Sequence, residues 1–230
     1  MEHQSQGGDW KNQIVQEYRR QRSSGSTASE AWQHAKEQFM QSYTSGSAEQ
    51  AWKNYSGNAL EQIVAEEFQK QLESRKANQQ IRVQRWNEIE EDLVKKILSE
   101  PLWLRGELQE PYLAESQVDF VATELKNGYS VRVIAVYSCK TSLRERFQQD
   151  LFWADRLRAR GIRFCLITLD NDGAIRRAIQ EGQLRSKQAK MAAALYDRVY
   201  LFEKPIRHFQ RIFRPVDRLV EDLKQWLKAG

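Results

Sequence analysis

The spacing of apolar residues changes period several times along the chain, and each change marks an element. The clearest pattern is Val118-Asp119-Phe120-Val121-Ala122-Thr123-Glu124, then Asn127-Gly128, then the β-rich run from Tyr129 to Ser138. Asn-Gly between two such runs predicts a tight hairpin, because both residues tolerate the left-handed backbone of its turn. Asp119 and Lys140 are therefore expected together at the hairpin's open end. Ile162 to Leu169 and Arg198 to Phe202 read as further buried strands. Helical periodicity covers Asn58 to Leu98, as one helix or two meeting near Asn78. A looser segment with Pro101, Gly106 and Pro111 follows. Ser142 and Glu145 fit a capping box that opens a helix to about Arg160, with Gly161 as its stop. Ala174 to Leu195 reads as one helix, and Pro215 opens a last one to Lys228. This order predicts an α/β fold, a mixed sheet flanked by helices.

Residues 1–57 have a different texture. They are rich in Gln, Ser and Gly and are interrupted by Ser23-Ser24-Gly25-Ser26 and Thr44-Ser45-Gly46-Ser47. Short helical patterns lie between, Trp10 to Gln21 and Ala28 to Tyr43. A faint echo sets Glu30-Ala31-Trp32 against Gln50-Ala51-Trp52, two copies and so too few for a solenoid. The expected division is a small all-α domain over 1–57, with tryptophans packed between its helices, and the α/β domain over 58–230.

Composition adds limits. With 40% hydrophobic residues and seven tryptophans in 230 residues, the chain can bury a real core. The net charge of +5 is a mild bias, compatible with a polyanion and no proof of one. Its distribution says more. Arg132 to Arg163 holds eight basic residues against three acidic ones, which favours phosphate contact on that segment. Cys139 and Cys165 sit in apolar strand-like runs and read as small buried residues. Three scattered histidines form no zinc pattern. No apolar run is long enough for a membrane span, and Met1 to Gly8 is too polar for a signal peptide, so the expected location is the cytoplasm.

The hairpin's open end carries the candidate chemistry. Hydrolysis of a phosphodiester needs a divalent cation to offset charge on the phosphate and lower the pKa of a water. Mg²⁺ prefers oxygen ligands. Asp119 offers a carboxylate and Cys139 its backbone carbonyl, while Lys140 can orient the attacking water or offset charge growing on phosphorus. Taken singly, an aspartate at a strand start and a lysine at a strand end are ordinary. Arg144 and Arg146 suit two-pronged contact with guanine O6 and N7, and Glu145 can accept from cytosine N4. The competing role for this tripeptide is a capped helix start on a solvated turn. Glu61 borders the stripe Leu60, Ile63, Val64, Phe68, Leu72, where a carboxylate needs a partner or a cation. Glu67 is its fallback, and a helix glutamate paired with a base is the alternative for both.

Asp119, then Ser138-Cys139-Lys140, then Arg144-Glu145-Arg146 resembles the PD-(D/E)xK nuclease superfamily. Within it, the pattern is similar to the BsaWI-like type II restriction endonucleases that read a CCGG or CCNGG core. The likeness covers residues 118–160 closely and 58–203 loosely. It implies a restriction-endonuclease-like core and Mg²⁺-dependent hydrolysis of double-stranded DNA at a palindromic site with a CCGG-like core. It further implies a homodimer, with higher association on DNA left open. In this group a serine often replaces the acid two residues before the lysine, as Ser138 does. A relocated acid then comes from the next helix, here Asp155 or Asp150, with Asp155 preferred. A glutamate of the first core helix reaches the metal, here Glu61. The tripeptide reads neighbouring C·G pairs, and residues 1–57 would supply dimer or DNA contacts. Val118 stands where the motif's proline would be. Two rival readings stay open: a structure-selective repair or junction-resolving nuclease, and a DNA-binding regulator that does not cut.

Overall fold

The computed structural model describes residues 10–89, 94, 98–104, 107–113, 118–142, 147–203 and 206–229. Three helices come first: α1 (Trp10–Ser23), α2 (Ala28–Ser42) and α3 (Ala48–Ser74). The Gly/Ser breaks read in the sequence are where each ends and the next is capped. Thr27 and Glu30 form a reciprocal box at the start of α2, and Ser47 caps α3 through Gln50 N–H. α3 runs unbroken across residues 57 and 58, where a domain boundary was expected.

Strands β1 (Ile81–Arg85), β2 (Ser99–Leu104), β3 (Glu107–Leu113), β4 (Phe120–Lys126) and β5 (Tyr129–Lys140) follow. Then come α4 (Phe147–Ala159), β6 (Arg163–Thr168), α5 (Ala174–Glu181), α6 (Lys187–Leu195), β7 (Arg198–Leu201), β8 (Phe213–Pro215) and α7 (Leu219–Ala229). The main sheet has the order β1-β4-β5-β6-β7-β8, and β2 pairs with β3 in a hairpin of their own. β1, β4 and β5 run antiparallel, while β5 to β8 run parallel. β5 is thus the seam between an antiparallel half and a parallel half.

Two readings of the sequence need correction. Ile81–Arg85 is a strand, not the continuation of a helix: Ile81 and Val83 alternate with Arg82 and Gln84, and the strand lines the edge of β4. Ala174 to Leu195 is two helices, because Gly182 takes a left-handed φ of 71° to close α5 and Ser186 caps α6 anew.

Helices cover both faces of the sheet. On one, α1, α2, α3 and α7 bury Phe120, Tyr137, Cys165, Ile167 and Tyr200. On the other, Trp153 and Leu157 of α4, Ile175 of α5 and Leu195 of α6 cover Val121, Val136, Leu166 and Val199. Ile14, Trp32 and Trp52 of the first three helices belong to the same apolar cluster as the sheet residues. Trp32 lies 5.0 Å from Trp52 and 5.4 Å from Phe202, centroid to centroid, so the echoed tryptophans pack on each other and against the end of β7. Among the described residues no helix is long and apolar enough to cross a membrane.

Candidate active site

β4 begins at Phe120, paired with Tyr137, and the residue before it extends the ladder with a side chain. Asp119 N–H donates to Tyr137 O at 2.9 Å, and Cys139 N–H donates to Asp119 Oδ2 at 2.5 Å. The carboxylate therefore stands where the next backbone carbonyl of β4 would be. Trp86 N–H, just past β1, donates to Asp119 O at 3.0 Å and fixes the residue from its other side.

Backbone alternation sets the remaining directions. Tyr137 O and Cys139 N–H both face β4, whereas Lys140 O faces β6 and accepts from Leu169 N–H at 3.3 Å. The carbonyl of Cys139 consequently faces the Asp119 side. Lys140 follows as the last residue of β5, half-buried like Asp119. The hairpin thus delivers Asp119, the Cys139 peptide and Lys140 to one place.

Electrostatics extends that group. Burial pushes the Cys139 thiol well above its usual range, and the negative charges of Asp119 and Glu61 push it the same way. Lys140 and Arg85 oppose them. Glu61 on α3 and Arg85 at the end of β1 therefore lie close enough to act on the same sulfur as Asp119 and Lys140. Arg85 was not singled out from the sequence. Nothing in its own neighbourhood marks it, since only the β1–β4 pairing of Arg85 with Phe120 brings it to the site.

The other expected residues have differing surroundings. Glu61 is exposed, so its influence on the Cys139 thiol, not burial in the apolar stripe, is what recommends it. Glu67 is buried and already occupied: it accepts from Tyr18 Oη at 2.7 Å and from Arg22 Nε and Nη2 at 2.5 and 2.7 Å. It is a clamp between α1 and α3. Asp155 is exposed on α4, turned from the Trp153, Ala154 and Leu157 face that packs on the sheet. Asp150 is buried and accepts from Tyr196 Oη. Ser138 is fully buried, and its Oγ has no hydrogen-bond partner among the described residues. It packs beneath the site and is not open to a substrate. Arg144, Glu145 and Arg146 lie outside the described residues, as does the capping role of Glu145.

Two carboxylates and a peptide carbonyl are hard oxygen donors. Among the described residues no three His, Cys, Asp or Glu side chains close on one point. Such a sparse set suits a hard cation that keeps several waters, and it is unlike a closed structural zinc site.

Comparison with known proteins agrees with this architecture. The crystal structure of the specific restriction endonuclease AgeI–DNA complex aligns with a TM-score of 0.55 at 14% identity, over 98% of this chain and 86% of that one. The pre-specific BsaWI–DNA complex aligns at 0.46 and 15% identity, over 96% of this chain and 92% of that one. No curated protein sequence matches the chain. The AgeI likeness shows the fold, a restriction-endonuclease-like mixed sheet between helical layers. The family model for BsaWI restriction endonuclease type 2 matches residues 95–225, a range that includes Asp119 and Lys140. That match spans more than half of the chain, and the protein belongs to the BsaWI family of type 2 restriction endonucleases.

Proposed function

We propose that the protein is a Mg²⁺-dependent endonuclease that hydrolyses double-stranded DNA at a palindromic site with a CCGG-like core. The observation that carries this reading is the Asp119 carboxylate held on the Cys139 peptide, one residue from Lys140. Asp119, Glu61 and the Cys139 carbonyl would hold the cation. When bound, Mg²⁺ supplies neutralisation of the phosphate and a lowered pKa for water. Lys140, carried at the strand end, aims its ammonium at the attacking water or at the charge that grows on the phosphate. Arg85 adds a second fixed positive charge on the β1 side. Fixing these groups by ladder hydrogen bonds keeps their reorganisation small during reaction. Arg144 and Arg146 are the proposed readers of guanine, with Glu145 on cytosine. Cutting both strands of a palindrome calls for a two-fold dimer with one site per strand. The helices of 1–57 would contribute dimer contacts or grip the flanking duplex.

Digestion of a plasmid of known sequence with Mg²⁺ is the test. Discrete fragments whose ends share one CCGG-containing palindrome are expected, and chelation should stop the reaction. Asp119→Ala and Lys140→Ala should each abolish cutting while leaving DNA binding largely in place. Normal cutting by either variant, or fragment ends without a common sequence, would overturn the reading.

A further inference from the structure

α3 passes close to the end of β5. A Cβ added to Gly57 would stand 3.3 Å from Thr141 Cγ2, tighter than ordinary packing, so a side chain there would press on Thr141. Lys53, Gly57 and Glu61 are four residues apart and share one stripe of the helix. The stripe starts with Glu61, whose charge acts on the Cys139 thiol, approaches Thr141 at Gly57, and ends with Lys53 about 12 Å from Glu61 along the axis, at ~1.5 Å per residue. There Lys53, Thr141, Ser142, Asn171 and Asp172 line a pocket of about 350 Å³. Its walls come from α3, from the chain leaving β5, and from the turn between β6 and α5. Asn171 N–H donates to Thr141 O at 3.0 Å and pins two of those walls together.

We infer that this pocket seats a backbone phosphate of the bound duplex next to the one that is cut, with Lys53 as its cation. The inference rests on the duplex-cutting reading above. Lys53 is exposed, and among the described residues no carboxylate lies within ion-pair distance of its ammonium. The hydroxyls of Thr141 and Ser142 and the amide of Asn171 add neutral donors, the usual company of a phosphate oxygen. Asp172 lines the same pocket, and its carboxylate bonds to that of Asp170. Its charge works against an anion and for a cation, which makes it the decisive residue. Lys53 lies in α3, outside the range matched by the family model, so the pocket gives the helical N-terminal part a direct share in the site.

The test is duplex binding without divalent metal across about 50 to 200 mM salt, on a duplex carrying the site and on an unrelated one. Each lysine–phosphate contact steepens the log–log salt slope by about 0.9. Lys53→Gln should weaken both duplexes alike and flatten the slope by that amount, and Asp172→Asn should tighten both. An unchanged slope for Lys53→Gln would overturn the inference. Weaker binding by Asp172→Asn would overturn it too. If the unaltered protein binds neither duplex, the pocket inference falls, while plasmid cutting with Mg²⁺ decides the proposed function by itself.

Discussion

At the scale of single residues, Asp170 stands out because it is buried, charged and close to the candidate site without belonging to its chemistry. It opens the turn after β6 at a left-handed φ of 47° and accepts from the N–H groups of Ile175 and Arg176. Burial nevertheless outweighs those bonds and, with the nearby Asp172, raises its pKa from 3.8 to about 6. Between those two values the native state holds more protons than the unfolded chain. Its contribution to stability therefore falls as pH rises from about 4 to about 6, then levels off. The size is on the order of 2–3 kcal/mol. Asp170→Asn keeps a capping oxygen and loses the titration. The difference in urea unfolding free energy between this variant and the unaltered protein should change across that window and stay constant above it. A constant difference from pH 4 upward would contradict the assignment. Residue identity alone made the Asp170–Gly173 turn legible, since these types favour a tight entry to a helix. Glu67 was not legible in the same way, because its partners Tyr18 and Arg22 lie 45 or more positions away.

Elements were legible where local chemistry fixes them. Asn127 and Gly128 have φ of 52° and 84°, the two positive angles that a tight I′ hairpin turn requires, and their sequence announced them. β1 was hidden because five residues between charged helical stretches leave too short an alternation to stand out. β2 and β3 were hidden by Pro101 and Pro111; the β2–β3 register shifts between Glu100 and Leu102, which accommodates Pro101. α3 shows a local rule overridden by packing. Glycine inside a helix costs about 1 kcal/mol relative to alanine, yet Gly57 sits at the contact with Thr141. Gly57→Ala should therefore leave stability within about 1 kcal/mol of the starting protein, helix gain against crowding. It should lower the single-turnover cleavage rate roughly 10-fold or more, because Thr141 adjoins Lys140. Unaltered cleavage by this variant would mean that the close approach has no bearing on catalysis.

On the scale of the whole molecule, one apolar cluster joins the first three helices to the sheet, and the partly buried Arg22–Glu67 pair ties α1 to α3. This arrangement leaves little reason for residues 1–57 to unfold alone. Hydrogen exchange during a urea series should show amides of α1 and α2 losing protection together with those of β5 and β6. Earlier loss in the helices would mark a separate folding unit. Such long-range union is what a linear reading misses: the texture of 1–57 changes at a glycine-rich break, and only the folded chain shows Trp32 against Phe202. The hairpin of β4 and β5 has a practical side as well. Its tip carries Tyr129 at 75% exposure, while its other end holds Lys140 eleven residues on, about 36 Å at ~3.3 Å per residue. A dye or surface tether attached at Gly128 would ride at the far tip of a stiff rod, reporting on the enzyme's tumbling and attachment while leaving the cutting end undisturbed.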